Sequence, residues 1–291
     1  MHAYLIIAHN KIAQLQKLVS LIDDERNDIF ILVDKKVKGF DLSVLQTRHS
    51  QLHELPREVE IYWGHVSQVE AELKLFAYAH AKQHYDYYHL LSGVDMPLNS
   101  QDYIHRFCQE NQGKEFISYM QPPLPRRKDN LRYQIFTRQQ MHPNKTLRTL
   151  YRWARKAFIL LQQLLGIKQQ GAEQWMHGGN WCSVTDAFVS QLVERKDQIL
   201  RRYRYSRSCD ETYKPTLIKE LGWQDRLFRL SPESAPTHMR EIDWERGFPY
   251  IWRTADYDYL ANSPRFFARK FDETVDSEII DRLYHALKET E

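Results

Sequence analysis

The sequence predicts an α/β fold in which a mostly parallel sheet carries helices on both faces. Short, fully apolar runs typical of buried strands recur in the first hundred residues. Segments with helical spacing separate them, so strands and helices alternate along the chain, as parallel sheets require. No internal repeat and no linker divides the 291 residues, which predicts a single domain spanning 1–291.

Four strands and two helices are predicted in the first hundred residues. The strands are Tyr4–Ala8, Ile29–Asp34, Glu60–Gly64 and Tyr87–Gly93. Apolar residues recur at helical spacing from 12 to 22, which predicts the first helix. Residues 66–83 predict the second, with Ser67 as its N-cap and Glu70 completing a capping box. In such sheets, ligands bind at the carboxyl ends of the strands.

The second half begins with a polar loop, Gln121–Pro143, and a basic amphipathic helix over 146–170. Leucines and aromatics between 147 and 165 form one face of this helix, while its arginines lie mostly elsewhere. Either this face docks on the protein core or the helix attaches to an anionic membrane surface. Beyond it we expect a glycine-containing turn into a short strand (176–185), a helix over 187–200 and a C-terminal helix, Ser277–Leu287.

Composition excludes several classes of protein. Lys and Arg total 41, Asp and Glu 38, and the formal net charge of +3 does not favour a nucleic-acid-binding protein. Three cysteines without CxxC spacing cannot form a disulfide framework and do not predict a structural zinc site. The apolar start is too short for a signal-peptide core, so a soluble, intracellular protein is expected.

Four polar or aromatic residues lie at positions where the fold alone does not require them, so they are candidate functional residues. Asp34 closes a buried strand, where it can bind a ribose or cap a turn, and Asp95 lies in a turn that favours aspartate anyway. Trp181, in GGNWCS, offers a flat face to a sugar ring or to the core. Glu211, next to Asp210, suits either a general base or the N-terminus of a helix.

The segment SPRFFARKFD places three cations around two phenylalanines, namely Arg265, Arg269 and Lys270. Apolar surroundings strengthen the attraction of a cation for phosphate. The alternative is a solvated basic stripe over core aromatics. The sequence contains no P-loop, GxGxxG, GxSxG or HExxH motif.

Taken in order, these segments resemble the core-2/I-branching β-1,6-N-acetylglucosaminyltransferase family and the related peptide O-xylosyltransferases. The matching pieces include IFILVDKK, HLLSGVDMPLNS, GGNWCSVTDAFV, CDETYKPTLI and FFARKFD. The resemblance implies a GT-A-type fold, with a nucleotide-binding half over 1–100 and an acceptor half over 101–291 that ends in a diphosphate-binding segment. It also implies a UDP-sugar donor, inversion at the anomeric carbon, and no divalent metal or other cofactor.

The resemblance assigns a role to ten residues. Glu211 is the catalytic base, although Cys209 stands where the family usually has proline. The diphosphate is bound by Lys270 and one arginine, with Arg246 the first choice and Arg253 open. The nucleotide-binding residues are His9, Asp34 and Lys36, and the sugar and acceptor pocket contains Trp63, Asp95 and Trp181.

The expected reaction transfers N-acetylglucosamine or xylose to a hydroxyl of a glycan or glycolipid acceptor, as in polysaccharide biosynthesis. The alternative is a non-catalytic nucleotide-sugar or glycan-binding protein on the same fold. Eukaryotic members carry a Golgi anchor and disulfides, so this chain is interpreted as a bacterial, cytoplasmic version. Peripheral contact with the inner face of the membrane through the 146–170 helix is left open.

Overall fold

The computed structural model describes residues 1–120, 133–135, 144–169 and 171–289. Its main sheet has six strands, which are β1 (His2–Ala8), β2 (Asn27–Val33), β3 (Gln51–Glu54), β4 (Tyr87–Ser92), β6 (Phe116–Ile117) and β7 (Cys182–Thr185). Their spatial order is β3-β2-β1-β4-β7-β6. The first four are parallel, while β7 runs antiparallel to β4 and β6. The α/β class, with a mostly parallel sheet, is confirmed.

Three shorter strands form a second sheet beside the carboxyl end of β4. They are β5 (Met96–Pro97), β8 (Arg240–Ile242) and β9 (Phe267–Arg269), with β9 in the centre. Met96 pairs with Ala268, so the turn after β4 lies against the FARKFD segment.

Helices cover both faces of the main sheet. The α-helices in the described residues are α1 (Ile12–Leu21), α2 (Val66–His80), α3 (Gln101–Glu110), α4 (Lys145–Leu164), α5 (Asp186–Glu194), α6 (Lys196–Tyr203), α7 (Tyr213–Glu220), α8 (Tyr257–Ala261) and α9 (Glu278–Lys288), and all of them except α4 contribute buried residues to a hydrophobic core cluster. Alternate residues of β1 belong to two separate hydrophobic clusters. One packs under α2, α5 and α7, and the other under α1, α3 and α9. Burial on both faces explains why β1 and β2 are almost entirely apolar.

The third predicted strand is wrong. Residues 60–64 are irregular, and β3 at Gln51–Glu54 pairs with β2 instead. Side chains bind the backbone of the misassigned segment, because Asp34 accepts from the Ile61 N–H and Ser67 accepts from the Tyr62 N–H. The predicted Ser67 cap is also wrong, since His65 caps α2 through Nδ1, 3.1 Å from the Ser67 nitrogen.

Two predictions for the second half need correction. The helix expected over 187–200 is two helices, α5 and α6, which meet at Arg195. The basic helix ends at Leu164, followed by Gly166 with φ of 66°. The C-terminal helix is confirmed as α9. Apart from residues 133–135, the predicted loop Gln121–Pro143 lies outside the described residues.

Most of the apolar face of α4 points to solvent, so the expectation that it docks on the core is wrong. Trp153 is 64% exposed and Leu164 76%. Gln162 is the one buried residue of α4, and it hydrogen-bonds the backbone of Gln134. Across the parts of the chain that the structure covers, no helix combines the length and apolarity needed to cross a bilayer.

Candidate active site

Asp34 follows β2, and its carboxylate contacts backbone N–H groups and a lysine of the neighbouring loops. Its Oδ1 accepts hydrogen bonds from the N–H groups of Lys36 (3.0 Å) and Ile61 (3.2 Å). Its Oδ2 lies 3.2 Å from the Lys36 ammonium, which rests over the Tyr62 ring at 4.0 Å. The carboxylate thus fixes the loop after β2 and holds Lys36 at the strand end.

His9 follows β1, and its pKa depends on the charged residues at this edge of the sheet. Partial desolvation of the ring and then the positive charges of Lys270 and Arg269 lower the pKa of His9, while Asp34 opposes them. The Lys11 ammonium lies 2.7 Å from Asp272, so the FARKFD segment also contacts the residues that follow β1. Three predicted nucleotide- or diphosphate-binding residues, His9, Asp34 and Lys270, are brought together here.

Arg269 joins two further predicted residues. Its guanidinium donates to Asp95 Oδ1 (2.8 Å) and to Ser92 Oγ (2.5 Å), and it lies 4.5 Å from the centre of the Trp181 ring. Asp95 is 1% exposed and also accepts from the Ser92 N–H. The sequence singles out Arg269 as one of three cations around two phenylalanines, but the family resemblance assigns it no role. Direct contact of Asp95 with a sugar stays a prediction.

The two candidate arginines for the diphosphate have different surroundings. Arg246 forms ion pairs with Asp243 and with Asp256, the latter at 2.7 Å. Arg253 is exposed, and its guanidinium makes no ion pair with the described residues. It follows Trp252, whose N–H donates to the Lys270 carbonyl at 3.0 Å. This hydrogen bond holds the backbone of residues 252–253 against the backbone of Lys270.

Glu211 ends a short 3-10 turn, Cys209–Glu211. Its side chain is 23% exposed, and Oε2 lies 3.8 Å from His177 Nε2. The Glu211 carbonyl accepts from the Gly178 N–H at 2.8 Å, which ties this turn to the GGNWCS segment. A carboxylate that is partly accessible and held by its backbone has the features of a general base.

The neighbouring acid has a different state. Burial, aided by the negative charges of Glu211 and Glu72, raises the pKa of Asp210 to about 8. Burial likewise raises the pKa of the Cys209 thiol well above its usual range. Asp210 and Cys209 are therefore mainly protonated at neutral pH, and Glu211 is the accessible acid of the turn.

A buried ion pair supports this turn from behind. Lys214 Nζ lies 2.7 Å from Glu72 Oε2, and both side chains are fully buried. Glu72 also accepts from the Tyr213 hydroxyl at 2.6 Å, and Lys214 donates to Asn180 Oδ1 at 2.9 Å. The pair joins α2 and α7 to the GGNWCS segment, so the position of Glu211 depends on buried polar contacts.

Trp63 precedes Gly64, which contacts the residue where the Glu211 turn begins. Its ring is 64% exposed, with the Arg207 guanidinium 5.2 Å from its centre. The Ser208 N–H donates to the Gly64 carbonyl at 2.9 Å. An exposed aromatic ring next to the residue that contacts the start of the Glu211 turn suits stacking on a sugar ring.

The two glycines of GGNWCS serve packing within the protein. A Cβ on Gly178 would lie 1.8 Å from the Ser118 carbonyl oxygen, and one on Gly179 would lie 2.8 Å from His238 Cδ2. The two glycines thus allow a close approach between this segment and other segments of the same chain.

Among the described residues, one cluster has the spacing of metal ligands, and it lies away from this site. His2, His89 and Cys108 are buried with ligand atoms within 4.8 Å of one another, at and beside the amino end of β1. His2 Nδ1 and His89 Nε2 are 3.0 Å apart, which a hydrogen bond between neutral rings explains. A metal-free reaction stays a prediction. The three cysteines are free thiols, as the absence of a disulfide framework predicted.

An α/β sheet with an acid, an imidazole and cations at its strand ends, and a partly accessible carboxylate in a neighbouring turn, suits an enzyme that binds its substrate at the carboxyl edge of the sheet. The chain belongs to the Core-2/I-Branching enzyme family, whose model matches residues 2–266. The family that the sequence resembles is thus confirmed.

Curated relatives agree with this family. Xylosyltransferase 2 of Canis lupus familiaris is 23% identical over 97% of this chain and 33% of its own length. Human xylosyltransferase 2 is 22% identical with the same coverage, and a xylosyltransferase of Ciona intestinalis is 22% identical over 96% of this chain. The chain spans about a third of the length of these relatives.

Two solved structures are more distantly similar. Mouse xyloside xylosyltransferase 1 covers 92% of this chain, and 97% of its own, with a TM-score of 0.39 and 9% identity. The bifunctional glycosyltransferase WbbM covers 75% of this chain and 37% of its own, with a TM-score of 0.35 and 11% identity.

Proposed function

We propose that this protein transfers a sugar from a UDP-sugar to a hydroxyl of a glycan acceptor, with inversion and without a divalent metal. One observation carries the proposal: the FARKFD segment lies at the carboxyl ends of the parallel strands, where the Phe271 N–H donates to the Val94 carbonyl (3.1 Å) and Arg269 to Asp95 (2.8 Å), while the Asp34 N–H donates to the Ala8 carbonyl (3.1 Å). These segments therefore meet at the carboxyl edge of the sheet. That edge is where open α/β sheets bind nucleotides.

Glu211 acts as the general base in the proposed reaction. It takes the proton of the acceptor hydroxyl while that oxygen forms a bond to the anomeric carbon. The bond between the anomeric carbon and the β-phosphate oxygen breaks on the opposite face, and its electron pair leaves with UDP. Inversion follows from this single displacement.

Lys270 and Arg253 stabilise the charge that develops on the leaving diphosphate. Lys270 makes no side-chain hydrogen bond or ion pair with the described residues, and Arg253 is also without a carboxylate partner there. Arg246 is held by two aspartates. Cations without a carboxylate partner can pair with phosphate oxygens without breaking an existing bridge, so Arg253 is preferred over Arg246.

Release of UDP from UDP-sugars, with and without glycan acceptors, tests the proposal. UDP-xylose is the first donor to examine because the relatives are named xylosyltransferases, and UDP-N-acetylglucosamine is the second. Product formation in excess EDTA is expected, and abolition by EDTA would overturn the metal-free reaction. A non-catalytic binding protein, the alternative function, would bind UDP-sugars and form no product with any acceptor.

We also propose that α4 rests on an anionic membrane surface. Its outward face carries Leu150, Trp153, Leu160, Leu161 and Leu164 at helical spacing, each at least half exposed. Arginines on its flank supply the complementary charge. Co-sedimentation with phosphatidylglycerol vesicles, lost with phosphatidylcholine vesicles and in a Leu160→Ser/Leu164→Ser variant, is expected. Equal binding of the unsubstituted protein to both kinds of vesicle, or undiminished binding of the variant to phosphatidylglycerol vesicles, would contradict it.

A further inference from the structure

Five cations line a single cavity between α4 and the turn that leads to Glu211. The cavity has a volume of about 610 Å³, and its lining consists of Lys145, Arg148, Thr149, Arg152, Arg155 and Arg207. Among the described residues, this lining includes no carboxylate. The net charge of the whole chain is only +3, so the cavity concentrates positive charge far beyond the average of the molecule.

Several cations of this cavity lack the carboxylate partners that other surface arginines of the protein have. Surface arginines such as Arg26, Arg57 and Arg202 each contact a carboxylate. In contrast, Lys145, Arg148 and Arg152 form no ion pair within the described ranges. Burial and the neighbouring charge of Arg155 lower the pKa of Arg207. Like charges held close together are costly unless an anion lies between them.

The cavity adjoins the acceptor side of the candidate active site. Arg207 stacks over Trp63, and the next residue, Ser208, hydrogen-bonds Gly64 and begins the turn that ends in Glu211. None of the residues assigned to the UDP-sugar lines it. An anion in this cavity would therefore belong to the acceptor.

We propose that this cavity binds a phosphate or diphosphate group of the acceptor, so that the substrate is a phosphate-bearing glycan. The inference rests on the proposed transferase function. A guanidinium group can donate two parallel hydrogen bonds to the oxygens of one phosphate. Four arginines and a lysine carry more positive charge than a single carboxylate ligand would balance, so they match a polyanion better. The volume lies in the range of about 300–1,000 Å³ that small-molecule sites have. The phosphate can belong to a soluble glycan or to a lipid-linked one at the membrane beside α4.

Calorimetric titration of inorganic pyrophosphate tests the cavity directly. The full chain is first saturated with UDP, so that its diphosphate site is occupied. Arg148→Gln/Arg152→Gln should weaken pyrophosphate binding by at least about tenfold. The matched control is Arg106→Gln/Arg282→Gln, which removes two exposed arginines from α3 and α9 and should change nothing. All four positions are exposed, so folding should be preserved, and thermal melting checks this.

The outcomes separate the two sources and the two proposals. Equal pyrophosphate affinity in the cavity variant and the control would overturn the inference. If the affinity is lost, competition by phosphatidylglycerol vesicles that persists in the Leu160→Ser/Leu164→Ser variant indicates a lipid-linked phosphate, and competition by glucose 1-phosphate alone indicates a soluble one. Absence of UDP-sugar turnover in the wild type, with pyrophosphate binding intact, would refute the transferase and leave the anion site standing.

Discussion

The two adjacent acids of the turn after Ser208 should respond differently to removal of their charge. Glu211→Gln removes the proposed base and should lower kcat by about two to four orders of magnitude, with UDP affinity unchanged. Asp210→Asn should keep kcat within about threefold of the wild type, because the buried carboxyl is already mostly neutral. Both substitutions exchange a carboxyl for an amide of the same shape.

The structure sets the size of the difference. With the pKa of Asp210 at about 8, about nine-tenths of this carboxyl is protonated at pH 7. Converting it to an amide therefore removes little negative charge, whereas Glu211 is 23% exposed and can meet an acceptor hydroxyl. A general base typically contributes about 10²–10⁴ to the rate.

Initial rates of UDP release at saturating donor and acceptor measure kcat for the two variants and the wild type. Calorimetry with UDP alone confirms that the donor site is intact, and circular dichroism confirms folding. Near-normal turnover of Glu211→Gln would refute the base assignment. An equal loss in Asp210→Asn would show that the roles of the two acids are reversed or shared.

Three further predictions concern the leaving group, the buried pair and pH. Arg253→Ala should lower kcat for transfer by at least about tenfold, while Arg246→Ala should change it little, and equal losses would leave the choice unsupported. Lys214→Met should destabilise the fold by about 3–5 kcal/mol in urea unfolding because it leaves Glu72 charged and buried, and a change below about 1 kcal/mol would contradict this. The raised pKa of Asp210 means that the folded state binds its proton more tightly, so stability is lost as pH rises from about 4 through about 8. Asp210→Asn should flatten that part of the stability curve, and an unchanged curve would argue against the shift.

Strand ends could be predicted from the sequence because β1 and β2 are buried on both faces and end in polar residues. His9, Asp34 and Lys36 follow these strands as expected. Residues 60–64 resembled a strand because aromatic residues favour strands, yet side chains satisfy their backbone. Pairing of this kind depends on residues distant in sequence, so periodicity could not show it.

The outward face of α4 and the pairing state of the arginines also required coordinates. Amphipathic spacing predicts that a helix has an apolar face, but it does not say which surface covers that face. Likewise, Arg246 and Arg253 look alike in sequence. The positions of Asp243 and Asp256 show that Arg246 is paired with carboxylates, whereas Arg253 has no such partner in the part of the chain that the structure describes.

Two of the acids assigned to substrate binding act through cations of the protein itself. Asp34 accepts from two backbone N–H groups and pairs with Lys36, and Asp95 is buried against Arg269. In a metal-dependent transferase, a strand-end carboxylate would present its oxygens to the ion that neutralises the diphosphate. Here Asp95 instead accepts a hydrogen bond from the guanidinium of Arg269, which precedes Lys270 in the chain and lies against the Trp181 ring. The acid therefore fixes a positive charge belonging to the chain at the place where the leaving group would gain its negative charge, and this arrangement supports the metal-free proposal.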